Sequence, residues 1–166
     1  DRLNTLKSLE LEDSTQIIYT SDHGDNIGER NLWGKSNFFE ESIGIPLIIS
    51  GPNVPTGKVC QTPVSLVDIY PTILETAKLS VEPQKPGRSL SWIANEPDDN
   101  NRVIFAEYHA MGSTSGGFMI RKGYWKYVHY IGMRPQLFDL ESDPDEILDL
   151  GDNHEFADVV QNLASE

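Results

Sequence analysis

Gln16-Ile17-Ile18-Tyr19-Thr20-Ser21-Asp22-His23-Gly24 decides the reading of this chain. The first five residues form a short β-rich apolar run. Polar residues and a glycine follow at once. Such a run reads as a buried strand that delivers Asp22 and His23 at its C-terminal end. In open α/β sheets, ligands bind just outside the carboxyl ends of the strands. Asp22 offers a hard carboxylate oxygen, and His23 a borderline nitrogen that also suits Mn²⁺ or Zn²⁺. Neighbours on a regular strand point to opposite faces. The two side chains can therefore converge only where the strand breaks, and Gly24 permits that break. An Asp-His-Gly triplet after a strand also serves as a capped turn with a hydrogen-bonded imidazole, so the triplet alone leaves both readings open.

Pro46-Leu47-Ile48-Ile49-Ser50 is a second buried-looking strand, closed by Gly51-Pro52. Two such runs imply a parallel sheet covered on both faces. The segment between them, Asp25 to Ile45, is long for a connection, and connections of that length are usually functional or disordered. Its Trp33, Phe38 and Phe39 imply that it is packed. It also carries Lys35, which could neutralise charge on a metal-bound anion. Upstream, Leu3, Leu6 and Leu9 mark Asp1 to Glu12 as the end of a helix, with Asp1 as its only N-cap signal. Downstream, Ser65 to Leu79 reads as a turn and a helix with Pro71 in its first turn. Pro83 to Asn101 reads as a loop or internal boundary. Val103–Tyr108, Gly117–Arg121, Trp125–Tyr130 and Gln136–Asp139 are strand candidates, with a tight turn at Lys122-Gly123. The tail from Glu146 ends as helix. The fold class is α/β. Residues 1–101 form part of a mixed or parallel sheet with helices, and residues 102–166 form a small antiparallel sheet with a terminal helix.

Composition narrows the functions. The chain has 166 residues, 38% of them hydrophobic and 23% charged, which suits a packed domain. Its formal net charge of -13 repels nucleic acid and anionic membrane surfaces. It would also repel an anionic substrate, so an anion site needs concentrated local positive charge. Cys60 is the single cysteine, which excludes an internal disulfide and leaves the compartment open. No apolar run is long enough to span a membrane.

The motifs, taken together, are specific. Thr20-Ser21-Asp22-His23-Gly24-Asp25, Gly28-Glu29-Arg30, Leu32-Trp33, Lys35 and Ile45-Pro46-Leu47-Ile48 resemble the sulfatase family of the alkaline-phosphatase superfamily. The resemblance is to the branch with choline sulfatases, iduronate-type sulfatases and phosphonate monoester hydrolases. It continues through Pro63 to Leu74, Gly87-Arg88-Ser89-Leu90, Ile120-Arg121, Trp125-Lys126-Tyr127 and Leu137 to Glu146, and so covers nearly the whole chain.

The resemblance implies that Asp22 and His23 are the second pair of metal ligands. It implies that Lys35, twelve residues past His23, is catalytic and binds the sulfate. The implied metal is Ca²⁺, with Mn²⁺ or Mg²⁺ as alternatives, and the implied substrate is a sulfate ester. The family's nucleophile is a formylglycine made within a Cys/Ser-x-Pro-x-Arg motif. Here Cys60 is followed by Gln61-Thr62-Pro63, and Ser142-Asp143-Pro144 by Asp145-Glu146, so neither fits. The nucleophile is therefore expected in a preceding N-terminal part of the same protein, without which this portion would be inactive and incompletely paired. Two alternatives stay open: a phosphonate or phosphate diester hydrolase of the same superfamily, and a non-catalytic binding module. His109, at the end of a strand before the Gly/Ser-rich loop Met111 to Gly117, is a further substrate-binding candidate, although a solvated histidine is the commoner case. His129 and His154 carry no assignment. Asp143, Asp145, Glu146 and Asp149 lack the spacing of a calcium loop and read as a solvated acidic face.

Overall fold

The structure, a computed structural model, describes residues 2–110 and 112–166. The N-cap assigned to Asp1 and the Met111 end of the Gly/Ser-rich loop lie outside the described residues. In chain order the elements are α1 (Arg2–Ser8), β1 (Ile17–Thr20), α2 (Glu40–Ile43), β2 (Leu47–Ser50), α3 (Ile69–Thr76), α4 (Leu90–Asn95), β3 (Val103–Tyr108), β4 (Gly117–Lys122), β5 (Trp125–Tyr130), β6 (Gln136–Asp139) and α5 (Ala157–Ala164). Single 3-10 turns lie at Glu12–Ser14, Glu29–Asn31, Leu66–Asp68 and His154–Phe156. The chain divides into two compact units. One holds the chain up to Asp22 together with Pro46–Asp98; the other holds His23–Ile45 and Asp99–Glu166.

In the first unit β1 and β2 pair antiparallel, with Ile17 opposite Ser50 and Thr20 opposite Leu47. This corrects the expectation of two parallel strands. Apolar runs report burial, not direction. A parallel crossover needs a dozen or more residues, usually helical, whereas the intervening segment contains only the single-turn α2 and a 3-10 turn. Burial is also one-sided, since Tyr19 and the opposite Ile48 are mostly exposed.

The helical part of this unit is organised by Asp68, which is fully buried. Its carboxylate accepts hydrogen bonds from Ser65 N (2.9 Å) and Arg88 N (2.8 Å). Ser65 completes a capping box with it, which starts the Leu66–Asp68 turn and α3. Pro71 sits in the first turn of α3, where its missing N–H costs nothing. One turn on, the Thr72 hydroxyl donates to Asp68 O (2.5 Å) and accepts from Leu90 N (2.8 Å). These bonds hold the Gly87-Arg88-Ser89-Leu90 stretch. Gly87 has φ +95°, and a Cβ there would meet Val67 O at 2.5 Å. Of the two readings of Pro83–Asn101, the division between the units does fall in this stretch, after Asp98, whereas the loop is corrected by α4. Ser89 caps it by accepting from Trp92 N, and Leu90 and Ile93 bury one face. The helix is short, and the Pro, Asn and Asp around it masked the Ser89 cap and the i, i+3 spacing of Leu90 and Ile93.

The second unit is built on a four-stranded antiparallel sheet in the order β3-β4-β5-β6. The four strand readings hold, and the β4–β5 turn falls one residue later than read. Lys122 pairs with Trp125, so Gly123 and Tyr124 make the two-residue turn, with Gly123 at φ +57°. One face presents Met119 and Val128, which pack with Phe38 and Ile43. The other presents Ile120, Trp125, Tyr127 and Leu137, covered by Leu150, Phe156, Val159, Val160 and Leu163. Each fully buried apolar side chain contributes about 1.5–3 kcal/mol. The sheet is thus sandwiched between α5 and the segment that carries Lys35. Phe38 is buried and Phe39 packs at 5.9 Å against Phe138 with the rings tilted, as expected of a packed connection. Trp33 is not packed: it lies beside Gly28 and is 78% exposed.

Candidate functional site

Asp22 closes the first unit's opening segment two residues beyond β1, and its side chain is exposed. His23 opens the second unit and is half-buried. Its Nδ1 lies 2.6 Å from Gly24 O. A carbonyl oxygen can only accept, so Nδ1 carries the proton and Nε2 becomes the ring's basic nitrogen. A backbone carbonyl thus fixes the tautomer of the ring.

The next residue admits no side chain. A Cβ on Gly24 would sit 2.0 Å from Glu41 O, and Gly24 N donates to Ser42 O at 2.7 Å. Gly24→Ala must push these two backbones apart. It is expected to lower stability by about 1–3 kcal/mol and to displace the His23 end of the loop. Urea denaturation of the protein checks this; a loss below about 0.5 kcal/mol would mean that the loop yields freely.

From Asp25 to Gly34 the chain closes on itself. Asn26, fully buried, donates to Gly34 O from its backbone N (2.9 Å) and from its side-chain amide. Gly34 N donates to Asp25 Oδ1 (3.1 Å), and Gly28 N to Leu32 O (3.0 Å). Lys35 leaves this closed loop with its side chain exposed. Its carbonyl accepts from the Ser42 hydroxyl at 2.5 Å. Ser42 is 1% exposed. One buried serine therefore joins the segment that begins at His23 to the segment that carries Lys35.

The turn containing Ser42 is anchored on the sheet by Lys126, which is fully buried on β5. Its ammonium donates to Phe38 O (2.9 Å) and pairs with Glu40 Oε1 (2.6 Å) and Glu146 Oε1 (2.5 Å). Glu146 Oε2 in turn accepts from Glu40 N (2.7 Å), at the start of α2. Burial pushes the Glu146 carboxyl above the usual glutamate range, although Lys126 opposes the shift. Beside this cluster, Arg30 lies over the Phe39 ring at 4.3 Å, pairs with Glu41 and donates to Asp145 O. Burial alone would raise the Glu41 carboxyl; the Arg30 hydrogen bond and charge outweigh it and hold it below its ordinary value.

The reading of Glu146 as part of a solvated acidic face is corrected, since only 3% of it is exposed. It turns inward because Lys126 lies beneath it. The signal was available: Lys126 stands at an alternating position between apolar neighbours on a strand, where a lysine requires a partner. His109 lies elsewhere. Its ring meets Phe118 edge-on at 4.9 Å, and Nε2 is 3.5 Å from Glu107 Oε2. Phe118 and Met119 are neighbours on β4, so the His109 ring is on the face opposite Phe38. Tyr108 instead reaches Ser36 Oγ at 2.9 Å, one residue from Lys35. Among the described residues, no group of three or more His, Cys, Asp or Glu side chains could hold a metal ion, and no helix is long and apolar enough to cross a membrane.

Residues 28–166 match the family described as N-sulphoglucosamine sulphohydrolase, C-terminal. The chain belongs to that sulfatase family. The choline-sulfatase of Rhizobium meliloti (strain 1021) is 43% identical over 155 residues, covering 91% of this chain and 30% of that protein. Human arylsulfatase K is 36% identical over 153 residues, covering 86% and 28%. The structure of BT4656 in complex with its substrate D-glucosamine-2-N,6-O-disulfate superposes with a TM-score of 0.88 at 27% identity, over 99% of this chain and 35% of that one. The phosphonate monoester hydrolase of Agrobacterium radiobacter gives 0.82 at 27% identity, over 99% and 36%. The chain spans about 30% of the length of the curated relatives it matches. Its helices and antiparallel sheets are those of an alkaline-phosphatase-like fold.

Proposed function

We propose that the chain is the carboxyl-side portion of a metal-dependent sulfuric ester hydrolase. Asp22 and His23 supply two ligands of a divalent cation, Ca²⁺ in the first place and Mn²⁺ or Mg²⁺ as alternatives. Lys35 binds the sulfuryl group. The formylglycine nucleophile belongs to a preceding region of the same protein, as do the remaining ligands. The observation that supports this reading most is the Ser42 junction, which ties the His23 segment to the Lys35 segment through two short hydrogen bonds.

The donor chemistry suits the assignment. A carboxylate and an imidazole with a basic Nε2 fit a hard or borderline cation, and two ligands leave the rest of its shell to other groups. Such a cation, when bound, supplies charge stabilisation and a template for the sulfate oxygens. Within this chain, the Nδ1–H bond keeps the His23 ring in one tautomer. The Lys35 ammonium neutralises charge developing on the sulfuryl oxygens and the leaving oxygen. In a chain of net charge -13, that ammonium also supplies the local attraction an anionic ester needs.

The likeness to a phosphonate monoester hydrolase favours one second reading, hydrolysis of a phosphonate or phosphate ester by the same groups. Calorimetric Ca²⁺ titration of the whole protein, with Asp22→Ala and His23→Ala beside it, tests the metal assignment. Each variant is expected to bind Ca²⁺ at least about tenfold more weakly, on the scale of mutations at a metal's ligands and their supports. Unchanged binding in both would remove the two residues from the site. Parallel assays with an aryl sulfate and an aryl phosphonate monoester separate the two ester classes.

A further inference from the structure

We propose that Ser42 is a positioning residue for Lys35: it sets where the lysine stands relative to the His23 segment. The inference rests on the functional reading above and adds a residue that no motif pointed to. The side chain of Ser42 is buried and reaches no solvent, so it cannot meet substrate. The hydrogen bonds of Ser42 go to backbone, the N–H to Phe39 O at 2.9 Å among them. Its hydroxyl donates to Lys35 O at 2.5 Å, and its carbonyl accepts Gly24 N–H at 2.7 Å. The peptide on the other side of Lys35 is held as well, because Gly34 O accepts from Asn26.

The root of the Lys35 side chain is thereby clamped from both directions, while the side chain itself stays exposed. Of the four hydrogen bonds made by Lys35 O, Gly34 O and Gly24 N, two involve Ser42 on α2, the single turn that Lys126 and Glu146 pin to the sheet. A flexible lysine on a rigid root loses fewer conformations when it engages an anion. A misplacement of about 1 Å at a catalytic group can cost on the order of 100-fold in rate. Removing the Ser42 hydroxyl frees one side of that root and leaves the Gly24 bond intact, because that bond uses backbone.

A double-mutant cycle in the whole enzyme, read as kcat and KM for an aryl sulfate, tests this. Ser42→Ala is expected to lower kcat about 10- to 100-fold with KM changed less than threefold. In the Lys35→Ala background the same substitution is expected to change kcat less than twofold, since nothing is left to position. A serine that serves stability alone would cost the same factor in both backgrounds. That result, or no loss in either, overturns the proposal. If Lys35→Ala itself leaves turnover intact, the role of Lys35 fails first and this inference falls with it. Should Ser42→Ala not fold, Ser42→Cys, of similar volume and with a weaker donor, is read in the same cycle with the same criteria. Melting temperatures of all variants show whether the fold is retained.

Discussion

Lys126→Met is expected to cost the protein about 3–5 kcal/mol of folding stability, the range for removing one partner of a buried ion pair. Lys126 is fully buried and makes three polar contacts, to Phe38 O, Glu40 and Glu146. Methionine fills much the same volume, so the loss is electrostatic rather than a cavity. What it leaves is Glu146, 3% exposed, with no cation beside it. The sign of the pH dependence follows. Burial already raises the Glu146 carboxyl in the folded protein while Lys126 pulls it down. In the variant it rises further, so between the ordinary glutamate value and the folded value the native state binds more protons than the unfolded state. Stability then falls as pH rises through that window and recovers on acidification. The variant should therefore regain stability as pH is lowered from 7 toward about 5. Lys126→Met combined with Glu146→Gln should recover part of the loss at pH 7, because the uncompensated charge is gone. Loss of the Phe38 anchor should also expose residues 38–43 to limited proteolysis. A single variant within about 1 kcal/mol of the parent, or one whose stability rises with pH from 5 to 7, would show that Glu146 is solvated after all.

This cluster also marks where the sequence stopped being legible. The strands β3 to β6 were readable almost to the residue, because alternation and a glycine turn encode a meander locally. The direction of β1 against β2 was not, because an apolar run carries no sign. Only the poverty of helix between Ser21 and Pro46 spoke against a parallel crossover. α4 was hidden by the composition of its flanks. Asp68, Thr72, Lys126 and Glu146 stood inside the motifs, yet nothing local showed that Asp68 and Thr72 lock a stretch fifteen or more residues on, or that Lys126 and Glu146 meet across the sheet. Long-range pairings of this kind have no period to detect. Lys35 was noticed as a cation in the long connection after Asp22 and His23, and family resemblance alone gave it a sulfate-binding role. Ser42 lay seven residues past Lys35 and a few short of β2, with nothing to distinguish it from a surface serine.

Lys35→Ala in the intact enzyme is expected to lower kcat for a sulfate ester about 10²- to 10³-fold, the usual cost of deleting one preorganised charge stabiliser. The substitution is clean on structural grounds. The side chain is exposed, and the Ser42 hydrogen bond uses the Lys35 carbonyl, which alanine keeps. The loop should therefore retain its course, and the melting temperature should stay within a few degrees of the parent. The loss should depend on the leaving group. If the ammonium neutralises charge on the leaving oxygen, esters of weakly acidic alcohols suffer more than esters of acidic phenols, and the dependence of rate on leaving-group acidity steepens in the variant. Lys35→Arg should not restore the rate. A guanidinium is planar and spreads its charge, whereas an ammonium concentrates it on one atom at the end of a clamped stem. High salt should depress the parent's kcat/KM more than the variant's, because part of the lysine's effect is attraction of an anion toward a chain of charge -13. A variant that keeps kcat within twofold across the ester series would take Lys35 out of the reaction and leave it as a surface cation on a well-held loop.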